Sequence, residues 1–433
     1  MKEIDINNIK EIIENNNCAF LCGNGFSMNF DTSFRNIFDR LFEAHKQLIY
    51  DSNYNVYNKV NSKFKHKCID NYKNVISYMR GFSEKKLYKV FDDGLKFAED
   101  ILNNKKLIEK IHEENVLTEL VFGESELSVL EDMYCATNKE SKNVNIEYWS
   151  ILIYFYYLIE YIDVGYEFPK DNLFVSLIRI GNINKDKIIP IEDIRSKIIN
   201  SLYFNGFNTY YRLLFSIAIF SNGKHLDFNK MDNMSKIDLG KIERFLNSFK
   251  SIITLNYDRI LENIINNKVN HLHGSFILNK KEYVYNQSLG LKYDTNNYVS
   301  FSDILIGNYF YNKTSRAMLN DLSQKEMWNK KMLHHTKIIS SIIKENKINV
   351  LVFFGMNIKN DQHILRTFMT EFGFNKIKNS QIIYCYFNKD EKNEFNETFH
   401  KVITFNEELS EYARNIRVSY IDTNKILKEY FLK

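Results

Sequence analysis

Proline and glycine are scarce in this chain of 433 residues, which has two prolines and 15 glycines. Both residue types interrupt helices and mark turns, so their scarcity predicts long helices rather than many short strands and turns. The composition is 44% hydrophobic and 26% charged. Those fractions are ordinary for a folded protein and exclude an intrinsically disordered chain.

Regularly spaced cysteines and a strong net charge are also lacking. The five cysteines contain no Cys-x-x-Cys pair, so the sequence predicts neither a disulfide framework nor a zinc ribbon. A net charge of +4 is low for a dedicated nucleic-acid binder. We interpret the lysine-rich residues 63–67 as solvated surface. The sequence therefore disfavours nucleic acid as a partner.

No long hydrophobic run is present. The most apolar stretch, residues 149–159, is closed by Glu160 and Asp163, and it is shorter than the ~20 residues that a membrane-spanning helix needs. The amino terminus continues into a polar helical pattern and does not resemble a signal peptide. We therefore predict a cytoplasmic protein that does not bind a membrane, with residues 149–159 as a core helix.

Short apolar runs alternate with helical patterns at both ends of the chain. The predicted strands are residues 19–22, 251–254, 269–273, 350–354 and 381–387, and the helices between them include 3–15, 31–42, 259–265, 328–345 and 362–372. This alternation predicts an α/β fold with a Rossmann-like parallel sheet flanked by helices. Long amphipathic segments instead dominate residues 46–245. We therefore predict a discontinuous sheet domain, residues 1–45 with 246–433, and a mostly helical insertion.

The first predicted strand runs into Gly23-Asn24-Gly25-Phe26-Ser27. Glycines let a backbone approach a pyrophosphate closely, and N–H groups at a helix N-terminus stabilise its charge. The Gly-x-Gly-x-x-Gly fingerprint is incomplete because Met28 stands where the third glycine would be. The segment is consistent with a phosphate site and with an ordinary strand-to-helix turn.

Two polar motifs follow the next two predicted strands. Asn256 can donate and accept hydrogen bonds, which suits a ribose hydroxyl or a water molecule, although it also suits a turn. Asp258 either supports such a site or caps the following helix. His271 and His273 would share one face of a strand, but two histidines alone are thin evidence for a metal site. A base role fits His273 better, because Gly274 allows a ligand to approach and imidazole titrates near neutral pH.

The fourth motif follows the apolar run at residues 350–354. Gly355 and Asn357 are predicted to bind the adenosine side of a dinucleotide. Asp361 and His363 are better explained as the start of the next helix. Three of the four motifs thus share one form, a buried strand that ends in glycine or small polar residues.

Together, and in this order, these residues resemble the sirtuin-type NAD-binding superfamily, in particular its bacterial branch of NAD-consuming proteins linked to antiphage defence. The segments that match its motifs are Gly-x-Gly-x-Ser at residues 23–27, Thr-x-Asn-Tyr-Asp at 254–258, Leu-His-Gly at 272–274 and the late Gly-x-Asn…Asp-x-His at 355–363. The resemblance covers the two ends of the chain and not residues 45–245.

The resemblance implies roles for individual residues. Asn256 and His273 would be the catalytic pair, supported by Asp258. The cofactor-binding set would be Gly23, Asn24, Gly25 and Ser27 at the phosphates or nicotinamide ribose, with Gly355 and Asn357 at the adenosine half. Asn24 replaces the usual alanine, so it would either contact NAD or crowd it. The four-cysteine zinc module of protein deacylases is missing, which favours plain hydrolysis without a metal.

The function that the resemblance implies is an NAD glycohydrolase, with NAD as substrate and nicotinamide and ADP-ribose as products. Such an enzyme would deplete NAD during infection, so its activity needs control by the insertion, by homo-oligomerisation, or by a regulatory or phage-derived trigger protein. Two alternatives remain. One is a non-catalytic sensor that binds NAD or ADP-ribose, and the other is an NAD-dependent protein deacylase or ADP-ribosyltransferase.

Overall fold

The structure of the chain is a computed structural model. The structure describes residues 2–51, 55–57, 62–114, 119–121, 124–135, 140–146, 148–163, 165–182, 194–278, 290–292, 298–300, 335–404 and 407–433. Two compact units are present. The first comprises Met1–Arg35, Asn222–Ser275 and Leu333–Lys433, and the second comprises Asn36–Ser221 and Phe276–Met332.

The first unit is built on a parallel sheet. Its strands are β1 (Lys2–Glu3), β2 (Cys18–Cys22), β3 (Ser251–Thr254), β4 (Val269–His271), β5 (Val350–Phe354), β6 (Gln381–Tyr386) and β7 (Arg417–Asp422). These seven described strands lie in the order β1-β7-β6-β5-β2-β3-β4, and every neighbouring pair is parallel. The predicted α/β fold, Rossmann-like with a helical insertion, is confirmed.

The strand order has a reversal point between β2 and β5. From β2 the chain proceeds through β3 to β4 on one side, and from β5 through β6 to β7 on the other. Val350 is paired with Cys18, and Phe354 with Cys22, so the two strands end side by side. Open α/β sheets bind ligands at such a point, outside the carboxyl ends of the strands.

The central strands are apolar because both of their faces are covered. All residues of β2 and β5 are buried, as expected of parallel strands between two helical layers. The flanking helices are Ile6–Asn15, Asn24–Ser27, Leu239–Asn247, Ile260–Ile264, His335–Asn346, Gln362–Phe374, Lys389–Ile403, Glu407–Ala413 and Thr423–Tyr430. The ring of Phe20 on β2 lies 5.8 Å from Phe245 and 5.6 Å from Phe354. These contacts fix the helix Leu239–Asn247 against the sheet.

The division into units differs from the predicted boundaries in three places. Residues 222–245, predicted in the insertion, belong to the sheet unit, whereas residues 36–45 and Phe276–Met332, predicted in the sheet domain, belong to the helical unit. The first difference arises because the helix Leu239–Asn247 is as amphipathic as the helices of the insertion. Sequence periodicity shows that a helix has a buried face, but not which core covers that face.

The second unit is mostly helical. Its helices are Leu41–Tyr50, Ser62–Met79, Glu84–Asn103, Lys105–Glu113, Glu126–Cys135, Tyr148–Ile162, Leu173–Ile180, Ile194–Phe204 and Gly206–Phe220. Its short antiparallel strands are Asn55–Tyr57, Gly290–Lys292, Tyr298–Ser300 and Ile277–Leu278 in one sheet, and Glu119–Val121 with Glu124–Ser125 in another. Among the described residues, no helix is both long and apolar enough to span a bilayer.

Some predicted elements end elsewhere. The helix predicted over residues 31–42 is a 3-10 segment, Thr32–Arg40, with non-helical backbone at Asn36. Further 3-10 segments are Ser141–Asn143, Ser221–Leu226, Phe228–Lys230 and Met234–Lys236. The strand predicted over 269–273 stops at His271. Of the helix predicted over 328–345, residues 328–334 lie outside the described residues.

Candidate functional site

The turns that follow β2 and β5 touch each other through their glycines. The Gly25 N–H donates to the Gly355 carbonyl at 2.7 Å, and the Gly23 N–H donates to the Phe354 carbonyl at 3.1 Å. A Cβ on Gly25 would lie 2.5 Å from the Cα of Gly355, and one on Gly23 would lie 2.6 Å from the Cβ of Met356. The contact between the turns therefore requires both glycines, whether or not a ligand binds.

The segment after β2 differs from a dinucleotide-binding helix start. The helix Asn24–Ser27 has only four residues, so it lacks the aligned peptide dipoles of a long helix. Two of its N–H groups, those of Gly23 and Gly25, already bond to the neighbouring turn. Asn24 is exposed and Ser27 is buried. A ligand at this turn would therefore be held by side chains rather than by a helix N-terminus.

The side-chain amide of Asn256, beyond the end of β3, is held in one orientation. Its Nδ2 donates to the Gly23 carbonyl at 3.0 Å and to Ser27 Oγ at 2.8 Å. Its Oδ1 is buried and has no hydrogen-bond partner among the described residues. Flipping the amide would lose both donated bonds, so Oδ1 is held in place as a hydrogen-bond acceptor without a partner in the described part of the chain. An unsatisfied buried acceptor costs about 1–3 kcal/mol, which a bound hydroxyl group or water would recover.

Asp258 contacts both the start of the next helix and the turn after β2, although the N-cap residue of that helix is Arg259 and not Asp258, as one interpretation of the sequence had it. Its Oδ1 accepts the Ile260 N–H at 3.1 Å at the start of the helix Ile260–Ile264, and its Oδ2 accepts Ser27 Oγ at 2.5 Å. Because Ser27 also accepts from Asn256, the three side chains form one continuous network. The structure thus brings together residues that lie 231 positions apart in the chain.

A buried histidine that the sequence analysis missed completes this network. His225 is fully buried. Its Nε2 lies 3.0 Å from Asp31 Oδ2, and its Nδ1 lies 3.4 Å from Asp258 Oδ2. Lys224 Nζ lies 3.0 Å from the other oxygen of Asp31. Two carboxylates therefore face one imidazole and one ammonium group. No sequence motif marks these residues, since they come from separate 3-10 and turn segments.

This arrangement favours a charged His225. Burial of the ring opposes protonation, but the hydrogen bonds to Asp258 and Asp31 and their negative charges outweigh it and raise the pKa of His225. Burial likewise opposes ionisation of Asp258, yet hydrogen bonds from His225 and Ser27, with the positive charge of the ring, lower the pKa of Asp258. The raised pKa favours the protonated ring, in which each ring nitrogen donates to one of the two carboxylates.

His273 lies in the opposite electrostatic situation. It follows β4 and is buried, and desolvation lowers its pKa to about 4. Its Nε2 is 3.7 Å from Asp361 Oδ1, which would be an ion pair only if the ring were protonated. Burial outweighs this long contact, so the ring is uncharged at neutral pH. Gly274 follows with φ +88°, a backbone conformation that suits glycine.

His271 has a structural role. Its Nδ1 lies 2.8 Å from the backbone oxygen of Asn256, and its Nε2 lies 2.9 Å from Glu262 Oε1. The two histidines therefore contact different groups. Across the described ranges, no group of three or more histidine, cysteine or acidic side chains is placed to hold a metal ion.

The predicted residues after β5 lie partly in an exposed turn and partly at the start of the next helix. Asn357 is exposed, and its Oδ1 accepts the Lys359 N–H at 2.9 Å. Asp361 immediately precedes the helix Gln362–Phe374, as predicted, and His363 is in its first turn. The sequence explained Asp361 by this position alone. Its approach to His273 was not foreseen, because it depends on β5 and β4 lying in one sheet.

The site therefore has a fixed acceptor without a partner among the described residues, Asn256 Oδ1, and an uncharged buried imidazole, His273, with the Asp361 carboxylate nearby. His225 lies between the carboxylates of Asp31 and Asp258. All of these groups lie beyond the carboxyl ends of the parallel strands. Such a set can position a hydroxyl group or a water molecule and receive a proton. Comparisons with protein-family models, with curated proteins and with solved structures found no match for this chain.

Proposed function

We propose that the protein is an NAD glycohydrolase that cleaves NAD to nicotinamide and ADP-ribose. The observation that carries the proposal is the Asn256 amide, whose nitrogen is held by Gly23 and Ser27 while its buried oxygen is open. An acceptor fixed in this way can orient a ribose hydroxyl or the attacking water without reorganising during the reaction. The resemblance of four motifs to NAD-consuming proteins supports NAD as the substrate.

The chemistry needs few catalytic groups. Nicotinamide in NAD is a pyridinium, so it leaves with the electron pair of the broken C1′–N bond and needs no general acid. Water forms the new C1′–O bond and loses one proton. His273 receives that proton, because its ring is uncharged at neutral pH. Asp361, 3.7 Å from Nε2 before the reaction, then stabilises the imidazolium as it forms.

The remaining predicted residues take supporting parts in this proposal. Ser27 and Asp258 hold the Asn256 amide, and exposed Asn24 contacts the nicotinamide ribose or the phosphates. Gly355 and Asn357 border the adenosine half. NAD depletion is toxic, so we further propose that the activity is restrained until a trigger, such as a phage-derived protein or self-assembly, releases it in antiphage defence.

The test is nicotinamide release from NAD by the purified full-length protein, measured by chromatography. Asn256→Ala and His273→Ala are compared with two matched controls, Asn267→Ala and His400→Ala, which alter exposed residues of the same types. We expect release by the wild type and by both controls, and a loss of about 10²–10³-fold or more in each site variant. One proton should be released per nicotinamide.

Calorimetric titration with NAD separates the alternatives. Binding of NAD without turnover, in the presence of infected-cell extract as well as without it, would show a sensor rather than an enzyme. Release that requires an added acyl-lysine protein would show a deacylase, and ADP-ribose transfer onto a protein would show a transferase. Full activity in His273→Ala would reject the assigned base.

A further inference from the structure

A cleft lined largely by polar and charged residues lies at the amino ends of the strands of the same sheet. This cleft of about 750 Å³ is formed by the loops that lead into β2, β3, β5 and β6. Its lining residues are Ile13, Glu14, Asn15, Asn16, Asn17, Ser248, Lys250, Lys347, Asn349, Lys376, Ile377 and Lys378. All of them belong to the sheet unit. The cleft is separate from the carboxyl-end site and shares none of its residues.

Most of the charged residues that line the cleft are positive. Three of its four loops contribute lysines, namely Lys250, Lys347, Lys376 and Lys378, against a single acidic residue, Glu14. All four lysines are exposed. Within the described ranges, none of these ammonium groups has a carboxylate within 4 Å. An anion in the cleft would face four ammonium groups and a single carboxylate, so its net electrostatic interaction with the lining would be attractive.

Two of these lysines occupy positions where glycine is the usual residue. Lys347 and Lys376 each follow a helix with φ +50°. The Ile348 N–H bonds to the Ile343 carbonyl at 3.2 Å, and the Ile377 N–H bonds to the Phe372 carbonyl at 2.9 Å. These bonds define helix ends of the Schellman type, whose left-handed residue is most often glycine. A lysine at both positions costs backbone strain that glycine would avoid.

Helix capping does not explain the lysines. Cations near helix C-termini can bond to the last carbonyl groups. Here backbone N–H groups occupy the carbonyls of Ile343 and Phe372. At the end of the helix Ile6–Asn15, side-chain amides of Asn15 and Asn16 reach the carbonyls of Glu11 and Ile12 at 2.9 Å. The lysine side chains are therefore available to an external ligand.

The floor of the cleft is fixed by asparagine. Asn349 Nδ2 donates to Asn16 Oδ1 at 2.9 Å, and the Asn17 N–H donates to Asn349 Oδ1 at 3.0 Å. Asn17 Nδ2 also donates to the Lys347 carbonyl at 3.2 Å. These bonds tie the loop before β2 to the loop before β5. The cleft therefore includes two loops that are linked to each other by hydrogen bonds.

We propose that this cleft binds a small ligand that carries two or more phosphate groups. Its volume lies within the range of about 300–1,000 Å³ that small-ligand sites occupy. Lysine ammonium groups bind phosphate oxygens through charge-assisted hydrogen bonds, and four such groups match a polyanion better than a single charge. The ligand would bind at the amino ends of strands whose carboxyl ends carry the candidate site.

Isothermal titration of the full-length protein with inorganic tripolyphosphate tests this proposal. The test variant is the double substitution Lys347→Gly and Lys376→Gly, which removes two ammonium groups while glycine tolerates the left-handed backbone. Asn379→Gly is the control, since Asn379 has φ +55° and lies outside the cleft lining. We expect wild type and control to bind alike, more weakly as salt rises, and the double variant to bind about tenfold or more weakly.

Other results overturn the proposal. Wild type that fails to bind tripolyphosphate at low salt has no polyphosphate site. Equal binding by wild type and double variant places any site elsewhere, such as at the carboxyl ends of the strands. Lysine-dependent binding of a single-stranded oligonucleotide, but not of tripolyphosphate, would make the cleft part of a nucleic-acid surface instead.

Discussion

The two ends of the parallel sheet differ in the burial and the pairing of their charged side chains. At the carboxyl ends, Asp31 and Asp258 are buried and are matched by His225 and Lys224. At the amino ends, four exposed lysines line one cleft with a single acidic residue. Charges removed from water need partners within the protein, whereas exposed charges are solvated and screened.

The difference separates two kinds of site. At the carboxyl ends, the two bonds that Asn256 Nδ2 donates hold the amide, so its Oδ1, which has no partner among the described residues, has a defined direction. That arrangement suits chemistry on one bond. The amino-end lysines are exposed and surround loops that asparagine side chains tie together, which suits binding of a charged ligand rather than catalysis. The following variants test whether this contrast holds.

Removal of His225 should have the largest effect on stability. His225→Ala leaves Asp31 and Asp258 buried without the cation between them, so we expect a loss of about 3–5 kcal/mol in unfolding free energy by urea titration. Asp31→Asn in the same chain should recover part of that loss. Because the folded-state pKa of His225 is raised, its stabilisation is present below its unfolded pKa, about 6.5, and is lost as pH rises through the folded pKa. A loss below about 1 kcal/mol would contradict the paired arrangement.

His273 should have the next largest effect, at acid pH. Burial lowers its pKa from 6.5 to about 4, so the unfolded chain takes up a proton first as pH falls. Stability should therefore decrease between those two values, by about 3 kcal/mol in total. The check is urea unfolding at pH 7, 5.5 and 4.5 for wild type and His273→Asn. Parallel losses in both proteins would mean that His273 is not buried in the folded state.

Gly25→Ala should separate the two turns at the reversal point of the sheet. The new Cβ would lie 2.5 Å from the backbone of Gly355, and we expect a loss of about 2 kcal/mol with lower activity. Gly240→Ala is the control, because its nearest neighbours are 3.4 Å away and it lies in the helix Leu239–Asn247. That change should be neutral or stabilising. The measurement is thermal unfolding of both variants. Equal melting temperatures would show that the turns can move apart freely.

Lys347→Gly should have the smallest effect, with the opposite sign. Glycine relieves the left-handed backbone at φ +50°, so stability should rise by about 1 kcal/mol. Lys344→Gly lies in the last turn of the helix His335–Asn346 and should lower stability by about the same amount. The two melting temperatures should move apart. A lower melting temperature for Lys347→Gly would indicate that the lysine side chain stabilises the fold.

Local patterns predicted much of the sheet. The apolar run at residues 350–354 is strand β5 with the predicted bounds, and β2, β3 and β6 are within one residue of theirs. Strands buried on both faces give continuous apolar runs, which are easy to recognise. The strand Arg417–Asp422 was not predicted, since its longest apolar run is only two residues, Tyr420 and Ile421. The grouping of Ser27, Asn256 and Asp258 followed from motifs at strand ends.

The sequence by itself determined the α/β class, the positions of the central strands and the polar residues at their ends. Those properties depend on residues that are near neighbours in the chain. Only the tertiary structure decided the strand order, the contact between Gly25 and Gly355, the pairing of His225 with two carboxylates and the gathering of four lysines in one cleft. Each of these joins segments far apart in sequence, and burial and charge act between groups according to their distance in space.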